Sequence, residues 1–294
     1  MGVTYLGRKN KFLNIEKKFS FYSVALKLTT KCNLNCLFCC EPFNDLQEAS
    51  LGSWQKIIDK LSFLGTKKIC LTGGEPTLYK DLPSVLNYIK SKNMQALLST
   101  NGTLLTGNEP FLKTVSGVRI SLHGTQKTHD LLTGSKGAYD KTITAIKKLV
   151  ERSIPVFVAF VVLKDNSKEI IETAQACNAL GVKKFYVFNL LKSGHGANLV
   201  KERKALDLRE LAHAMKVLQK TRKKEKWGVE ISLFKFDEQG ECILVYGNGD
   251  VFIEPFNASP SNKLLLGNIL TNDPIKLVEK HPFKQQYLCH LKEV

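Results

Sequence analysis

The sequence has no apolar segment long enough to cross a bilayer as a helix. Its longest apolar run, 154-IPVFVAFVVL-163, falls short of the about 20 residues that such a helix needs. The first residues, MGVTYLGRKNKF, contain no apolar stretch of signal-peptide length. Repeats and low-complexity segments are absent as well. We therefore predict a soluble, cytoplasmic protein that has no contact with a membrane.

Arginine is scarce, although the chain is strongly basic. Six of the 43 basic residues are arginines, and the net charge is +16. Arginine is the usual residue for bidentate contacts with phosphates and bases, and no recognition motif accompanies the charge. Both observations argue against a nucleic-acid partner. The lysine excess either reflects genome composition or creates a positive field that attracts acidic partners.

Disordered and coiled-coil chains are excluded by a composition of 43% hydrophobic and 24% charged residues. The chain has eight cysteines, and four of them fall within residues 32–40. In a protein without secretion signals, cysteines grouped in this way indicate metal or redox chemistry, because disulfide scaffolds belong to oxidising compartments.

Apolar strands alternate with amphipathic helices over the first two thirds of the chain. The predicted strands are 23–29, 67–72, 95–100, 117–122, 155–163 and 183–191. The predicted helices are 53–64, 81–92, 109–115, 139–152 and 168–180. Strands separated by helices pair in parallel through right-handed crossovers. The order predicts an α/β fold that is either a full or partial barrel or a doubly wound sheet.

The pattern changes after residue 191. A helix is predicted from about 206 to 225, and the turn Gly247-Asn248-Gly249 between strands 241–246 and 250–256 predicts a hairpin. Before the change, Ser167 is expected to cap the helix 168–180, and Gly181 to end it. We predict a barrel domain over 1–191 and a small α+β extension over 192–294.

The loop after the first strand carries the strongest chemical signal. In 31-KCNLNCLFCC-40, Cys32, Cys36 and Cys39 form a C-x₃-C-x₂-C motif. Three thiolates bind three irons of a cubic cluster and leave the fourth iron open for a substrate or cofactor. The spacing alone also allows a structural zinc site that a distant histidine or cysteine completes.

Polar motifs follow the other predicted strands. They are 73-GGEP-76, 99-STNGT-103, 121-SLHG-124, 163-LKDN-166 and 189-NLLKSG-194. Each one lies at the carboxyl end of a predicted parallel strand, which is where α/β barrels place their active sites.

These segments resemble the radical S-adenosylmethionine (SAM) superfamily. The resemblance rests on 32-CNLNCLFC-39, 73-GGEP-76, 99-STNG-102 and 121-SLHG-124, in the order and spacing of that family. More narrowly, 128-THDLLTGSKGAYD-140 and 265-LLGNI-269 are similar to segments of one branch. That branch contains molybdopterin-precursor cyclases, sulfatase maturases and peptide-modifying enzymes. The resemblance implies a partial (β/α)6 TIM-like barrel.

The resemblance also implies the cofactors and their ligands. Cys32, Cys36 and Cys39 are expected to hold one [4Fe–4S] cluster whose open iron binds SAM. One electron from the reduced cluster would split SAM into methionine and a 5′-deoxyadenosyl radical that abstracts hydrogen from a substrate. No catalytic side chain is assigned. The expected SAM-binding residues are Phe38 near the adenine, Gly73, Gly74 and Glu75 at the methionine amino group, and Ser121 at the ribose or carboxylate, with Thr100 and Asn101 nearby.

The carboxyl-terminal part departs from this branch, whose extension often binds auxiliary clusters. Only Cys242 and Cys289 follow residue 191, and Glu254-Pro255-Phe256 occupies the position where a further cysteine is expected. Two thiolates do not complete a four-cysteine site, even if His290 assists Cys289. We therefore expect a degenerate SPASM/twitch-like cap without a cluster, which also argues against a molybdopterin-precursor cyclase.

Several single residues have an ordinary structural interpretation. Cys70 and Cys177 are expected to be buried small apolar residues, and Cys40 to be a spare thiol. His123 is either a substrate contact or structural, and His195 is a candidate for the pocket lining. Tyr186 and Phe188 either belong to the core or flank the adenine.

The leading prediction is a biosynthetic radical SAM enzyme that modifies a peptide or protein during maturation. The alternatives are an enzyme acting on a small metabolite, a nucleotide or tRNA, and a metal-binding scaffold without SAM chemistry. The basic surface predicts an acidic, low-potential electron donor of the flavodoxin or ferredoxin type.

Overall fold

A computed structural model describes residues 21–40, 48–234, 243–253 and 264–280. The strands are β1 (Ser23–Lys27), β2 (Lys68–Thr72), β3 (Gln95–Thr100), β4 (Gly117–Ser121), β5 (Val156–Val161), β6 (Lys184–Phe188), β7 (Glu230–Leu233), β8 (Ile243–Tyr246), β9 (Asp250–Ile253) and β10 (Leu264–Asn268). The helices are α1 (Leu51–Phe63), α2 (Leu82–Ser91), α3 (Gln126–Thr133), α4 (Ala138–Glu151), α5 (Ile170–Ala179), α6 (Gly196–Lys201), α7 (Leu208–Lys224) and α8 (Pro274–Glu279).

The ten strands within the described residues all belong to one mostly parallel sheet. Its order is β10-β9-β8-β1-β2-β3-β4-β5-β6-β7, and the strands from β1 to β7 pair in parallel in chain order. In the described residues β7 and β10 are the two edges, so the sheet does not close on itself. The predicted α/β fold class with a partial barrel is confirmed.

The alternation of side chains along each strand distinguishes the barrel from a doubly wound sheet. Val24 and Leu26 of β1 pack in the same buried cluster as α1 and α2, and Ile120 of β4 packs with α4 and α5. Ala25 and Lys27, between and beside these apolar residues, line an interior cavity instead. The helices therefore cover one face of the sheet, and the opposite face lines the interior.

Local sequence signals explain the helix boundaries. Ser50 caps α1, with its Oγ accepting from Ser53 N at 3.2 Å, and Trp54, Ile57, Ile58 and Leu61 form the predicted buried face. Each of these side chains contributes roughly 1.5–3 kcal/mol when fully buried.

The prediction for the helix 168–180 was wrong at its start. Residues Ser167–Glu169 form a 3₁₀ turn, and the Ser167 hydroxyl donates to Lys164 O at 3.1 Å instead of capping a helix. The α-helix begins at Ile170. Gly181, with φ +80°, follows its end as predicted.

The predicted hairpin is confirmed by the antiparallel pair β8 and β9, which enclose Gly247-Asn248-Gly249. Strand β8 also pairs in parallel with β1, so that Ala25 lies opposite Leu244. Two strands of the predicted extension thus continue the barrel sheet, because β7 pairs with β6 and β8 pairs with β1. The division of the chain at residue 191 stays a prediction. None of the described helices has the length and apolarity that a membrane span requires.

Candidate active site

A cavity of about 240 Å³ lies at the carboxyl ends of the parallel strands. Its lining residues come from β1 to β6, from β8, from loops that follow these strands and from helix α3. Nine of the ten predicted site residues line it: Cys32, Cys36, Phe38, Cys39, Gly73, Gly74, Thr100, Asn101 and Ser121. Segments that are far apart in sequence therefore meet at one cavity.

Backbone hydrogen bonds hold the cysteine loop in place. Cys39 N donates to Cys36 O at 3.1 Å, and Leu34 N donates to the Cys32 sulfur at 3.4 Å. Helix α3 supports the loop from outside, because Asn35 N donates to Thr133 O at 3.1 Å and Leu37 N to Leu132 O at 2.9 Å. The three thiols thus lie on a fixed loop.

Burial keeps the thiols of Cys32 and Cys36 protonated in the metal-free protein. It raises the pKa of Cys36 to about 12, and the neighbouring thiols of Cys39 and Cys32 raise it further. Burial also raises the pKa of Cys32, in part offset by the Leu34 N–H. Because only a thiolate ligates a metal, loading must displace protons and becomes easier as the pH rises.

The spacing of the three cysteines along the sequence is typical of a cubic cluster. In the ranges that the structure describes, no three His, Cys, Asp or Glu side chains converge as ligands of one metal ion would. In a cubic cluster each thiolate binds a different iron, so the sulfur atoms can stay further apart.

The two glycines of GGEP are required because their loop lies directly against the cysteine loop. A Cβ on Gly73 (φ +146°) would lie 2.3 Å from Thr29 O, and one on Gly74 would lie 2.2 Å from Lys31 O. The backbones are joined by hydrogen bonds of 2.7 Å from Gly74 N to Thr29 O and from Glu75 N to Lys31 O. Any side chain here would push the two loops apart.

Glu75 is fully buried and is the one predicted site residue that does not line the cavity. Its Oε1 accepts from Thr77 N at 3.0 Å, Thr77 Oγ1 at 2.6 Å and Thr100 Oγ1 at 2.7 Å. Its Oε2 accepts from Asn101 N at 2.8 Å. The carboxylate therefore joins the loop after β2 to the end of β3. Its expected contact with the SAM ammonium stays a prediction.

Asn101 extends this network to the cysteine loop. Its Nδ2 donates to Asn33 Oδ1 at 2.9 Å, and Asn33 Nδ2 donates to Thr103 Oγ1 at 2.8 Å. A side-chain hydrogen bond from Asn101 also acts on the Cys32 thiol and opposes the rise of its pKa. The loops after β1, β2 and β3 thus form one hydrogen-bonded unit.

Phe38 and two histidines line another part of the cavity. The rings of Phe38 and His123 meet edge to face, with centroids 4.4 Å apart, and the rings of His123 and His129 stack at 5.8 Å. Burial lowers the pKa of His129 to about 4 and the pKa of His123 well below its usual range, so both rings are neutral at pH 7.

Two basic residues on the inner face of the sheet were missed by the sequence analysis. Lys27 of β1 and Arg119 of β4 line the cavity. Arg119 donates to Ser99 Oγ at 3.2 Å, and its guanidinium lies over the rings of Phe188 and Phe234 at 5.5 and 5.1 Å. The sequence did contain a signal for these two residues, since each is a charged side chain within an otherwise apolar strand. Such a residue indicates the face of the sheet that the helices do not cover.

Helix α3, which carries His129, was also missed. Thr125 before the helix and Gly134 (φ +67°) after it are ordinary start and stop signals, but the helix between them is short and most of its residues are polar. A Cβ on Gly134 would lie 2.7 Å from Asn35 O, which shows how closely the end of α3 packs on the cysteine loop.

The structure also places the residues that the sequence left open. His123, Phe188 and Cys40 line the cavity, whereas Tyr186 does not. His195 is not among the lining residues, and its Nδ1 lies 3.2 Å from Cys36 O. Cys70 and Cys177 are buried, as predicted. The predictions for Cys242, Cys289, His290 and Glu254-Pro255-Phe256 lie outside the described residues.

Comparison with known proteins gives both curated relatives and solved structures. The chain is 32% identical over 230 residues to Fe-coproporphyrin III synthase of Methanosarcina barkeri, covering 76% of this chain and 57% of that protein. It is 30% identical over 224 residues to the sporulation killing factor maturation protein SkfB of Bacillus subtilis, covering 74% and 53%. The chain thus spans about half the length of the curated relatives it matches.

The fold is similar to that of SuiB from Streptococcus suis, whose structure was solved with the precursor peptide SuiA. The TM-score is 0.78 with 19% identity, over 95% of this chain and 70% of that chain. A structure of anSMEcpe with bound AdoMet gives a TM-score of 0.70 with 17% identity, over 90% and 82%.

Residues 26–177, more than half of the chain, match the radical SAM superfamily. The matched segment contains the cysteine loop, the GGEP loop and the ends of β3 and β4, which surround the cavity. The chain therefore belongs to the radical SAM superfamily, whose enzymes use a [4Fe–4S] cluster and SAM.

Proposed function

We propose that this protein uses radical SAM chemistry to modify a peptide or protein in a maturation pathway. The observation that carries the proposal is the cavity at the carboxyl ends of the strands. It gathers three thiols and six of the residues expected to bind SAM. Loops after five different strands contribute to the cavity lining, which is the usual construction of a barrel active site.

Cys32, Cys36 and Cys39 are the proposed cluster ligands. Their loop is fixed by α3, their thiols are close enough to raise one another's pKa, and they face the same cavity. Cys40 also lines the cavity, but it follows Cys39 directly and lies outside the C-x₃-C-x₂-C spacing. We assign it no ligand role.

Gly73, Gly74, Thr100, Asn101 and Ser121 are the proposed SAM contacts, together with Phe38. The glycines bring bare backbone to the cavity wall, where a polar ligand can approach it. The buried carboxylate of Glu75 holds Thr100 and Asn101 in position. This supports a positioning role for Glu75 beside its expected contact with the ammonium.

When bound, the reduced cluster and SAM supply a 5′-deoxyadenosyl radical that abstracts hydrogen from the substrate. The protein's own part is to hold the ligands and to limit the access of water. Leu34, Phe38, Val161 and Leu191 contribute apolar surface to the cavity wall. Such a wall protects reactive species from solvent.

A peptide substrate is supported by the relatives named for peptide maturation, SkfB and SuiB. A small carboxylate-bearing metabolite is the second candidate. It is favoured by the similarity to Fe-coproporphyrin III synthase and by Lys27 and Arg119 in the cavity lining.

The source of the transferred hydrogen separates these two candidates. The enzyme would be incubated with SAM, a reductant and fractions of an extract from cells grown in deuterated medium. Deuterium in 5′-deoxyadenosine from the peptide fraction supports the proposal. Deuterium from the low-mass fraction alone supports the second candidate.

Cofactor assignment is tested by iron analysis of anaerobically reconstituted protein. We expect close to four irons in the wild type and almost none in the Cys32→Ala, Cys36→Ala, Cys39→Ala triple variant. Cys40→Ala is the matched control, since it removes an adjacent cavity thiol and should keep its iron and its SAM cleavage. Tightly bound zinc without iron in the wild type contradicts the assignment.

We further propose that the protein is cytoplasmic and receives its electron from an acidic, low-potential donor protein. Lys31 and Lys192 are exposed in the loops that follow β1 and β6, at the cavity end of the sheet. Salt screens exposed charges beyond about 8 Å at physiological ionic strength, so it should slow turnover driven by a flavodoxin-type donor. Turnover with dithionite should depend on salt much less. Equal salt dependence with both reductants contradicts docking by charge.

A further inference from the structure

The cysteine loop has two sides that alternate residue by residue. Every second residue of the loop lines the cavity, namely Cys32, Leu34, Cys36 and Phe38. The residues that alternate with them are exposed to solvent, namely Lys31, Asn33, Asn35 and Leu37. An extended segment places successive side chains on opposite sides in this way. One layer of backbone therefore separates the thiols of Cys32 and Cys36 from solvent on the outer side of the loop.

The barrel wall is thicker where helices cover the sheet. Val24 of β1 belongs to the same buried cluster as Trp54 of α1, and Ile120 of β4 to the same cluster as Ile146 of α4. A protein bound outside these helices is separated from the cavity by a helix as well as by the sheet. Electron transfer between proteins requires a close approach of the two redox groups. The outer side of the cysteine loop allows a closer approach than the helix-covered wall.

Helix α3 enlarges the outer side of the loop into a surface. Leu37 N donates to Leu132 O at 2.9 Å, which brings Leu37 close to Leu131; these two leucines are 45% and 65% exposed. Lys127 is exposed on the same side of α3 as Leu131, because residues four apart are neighbours on a helix. Lys136 is exposed just after α3. We define the loop face by six exposed residues: Asn33, Asn35, Leu37, Lys127, Leu131 and Lys136.

The loop face combines an apolar centre with positive charge. Its two leucines are surrounded by amides and by the ammonium groups of Lys127 and Lys136, and protein interfaces have such an apolar core and polar rim. The acidic residue of α3, Asp130, directs its carboxylate to the N–H groups of Gly137 at 2.6 Å and Tyr139 at 2.8 Å. A small, acidic partner surface is complementary to this face, and electron-transfer complexes bury small areas.

We propose that the loop face is the docking surface for the electron donor, an acidic protein with a low-potential flavin. Leu37 and Leu131 provide the apolar contact, and Lys127 and Lys136 attract the donor. One electron passes from the reduced donor to the oxidised cluster, and no bond forms or breaks. The inference rests on the proposed function, since the chain needs an electron only if the cysteine loop holds a cluster.

Two pairs of substitutions test the loop face. Leu131→Glu and Leu131→Lys remove the same apolar contact and add opposite charges. Lys136→Glu reverses a charge of the loop face. Lys224→Glu is its matched control, because it changes the net charge equally at an exposed position at the end of α7. Since α7 precedes β7, this position lies at the opposite end of the sheet from the cysteine loop.

Each reconstituted protein would be mixed at low salt with a reduced, acidic bacterial flavodoxin, and the absorbance of the cluster would be followed. We expect Leu131→Glu and Lys136→Glu to be reduced about five- to tenfold more slowly than the wild type, because like charges repel the donor. Leu131→Lys and Lys224→Glu should stay within about twofold. Dithionite should reduce all the proteins at similar rates. Chemical-shift titration of isotope-labelled, oxidised flavodoxin measures the affinities without turnover and should give the same order.

Equal rates with flavodoxin for the two Leu131 variants, or for Lys136→Glu and Lys224→Glu, would overturn the inference. A variant that dithionite also reduces slowly has a damaged cluster loop, and the other pair then decides. If Leu131→Glu changes the oligomeric state in light scattering, the face contacts a second copy of the chain and the inference is wrong. A wild type that dithionite reduces and flavodoxin does not would overturn it as well. A wild type that holds no cluster, or cleaves no SAM with dithionite, would instead refute the proposed function.

Discussion

Replacing the buried carboxylate of Glu75 should disrupt the contact between the GGEP loop and β3. Backbone N–H donors approach both of its oxygens, from Thr77 at 3.0 Å and from Asn101 at 2.8 Å. Glutamine has only one side-chain oxygen. In either orientation of the amide, therefore, one backbone N–H faces an NH₂ group and loses its acceptor.

The magnitude follows from the kind of hydrogen bond that is lost. A hydrogen bond to a charged group contributes about 1.5–3 kcal/mol, so Glu75→Gln should destabilise the protein by about 2 kcal/mol. Such a change lowers the Tm of a chain of this size by roughly 3–4 °C. Glu75→Ala removes all the accepted hydrogen bonds and leaves Thr100 Oγ1 without this acceptor. Its cost should reach about 4–5 kcal/mol, the upper range for single substitutions.

Thermal unfolding of the cluster-loaded protein measures the effect, with calorimetric titration of SAM on the same samples. Glu172→Gln, at an exposed position of α5, is the control and should change the Tm little. We expect SAM affinity to fall with Glu75→Gln, because Thr100 and Asn101 lose their common anchor. A Tm that is unchanged in both Glu75 variants would refute this reasoning.

Three further predictions concern backbone fit, acid stability and cluster number. Gly74→Ala should lose stability and iron, because its Cβ would lie 2.2 Å from Lys31 O. Gly52→Ala in α1 is the control, because no atom lies closer than 3.9 Å to its Cβ, and it should gain up to about 1 kcal/mol of stability. The Tm and the iron content are measured for both variants. Burial lowers the pKa of His129 from its unfolded value of 6.5 to about 4, so its contribution is present at pH 7 and is lost as the pH falls through that window. Urea unfolding of the cluster-free protein should show a loss of stability between pH 7 and pH 5 to which His129 and His123 both contribute, and His129→Asn should reduce that loss by about 2 kcal/mol; equal losses would contradict the assignment. Cys242→Ala and Cys289→Ala should leave the iron content near four per chain, and about eight irons in the wild type would contradict a cap without a cluster.

The sequence was sufficient for strands β1 to β6, for most of the helices between them and for the hairpin of β8 and β9, because apolar periodicity and turn signals are local properties. The sequence also identified most of the predicted site residues that line the cavity. Cys32, Gly73, Thr100 and Ser121 all line one cavity, as expected from their positions after successive parallel strands. Parallel pairing brings those strand ends to one side of the sheet whatever the crossover lengths are.

Other features depend on contacts between distant segments. Periodicity gave no means to choose between a barrel and a doubly wound sheet, because both bury the same apolar residues. Glu75 carries a carboxylate that sequence reasoning directs at a ligand, yet the fold surrounds it with Thr77, Thr100 and Asn101. A local motif does not specify which residues of the next strand will reach it.

What the sequence determined by itself was the chemistry: three thiols at ligand spacing, a glycine pair and polar residues after each strand. Only the tertiary structure decided which polar atoms are satisfied within the protein and which remain open to a ligand. Glu75 accepts four hydrogen bonds from Thr77, Thr100 and Asn101, and His129, on a helix that the sequence did not reveal, stacks on the ring of His123. The reason is physical, since the pairing of a buried polar group depends on neighbours that only the folded chain brings within hydrogen-bond distance.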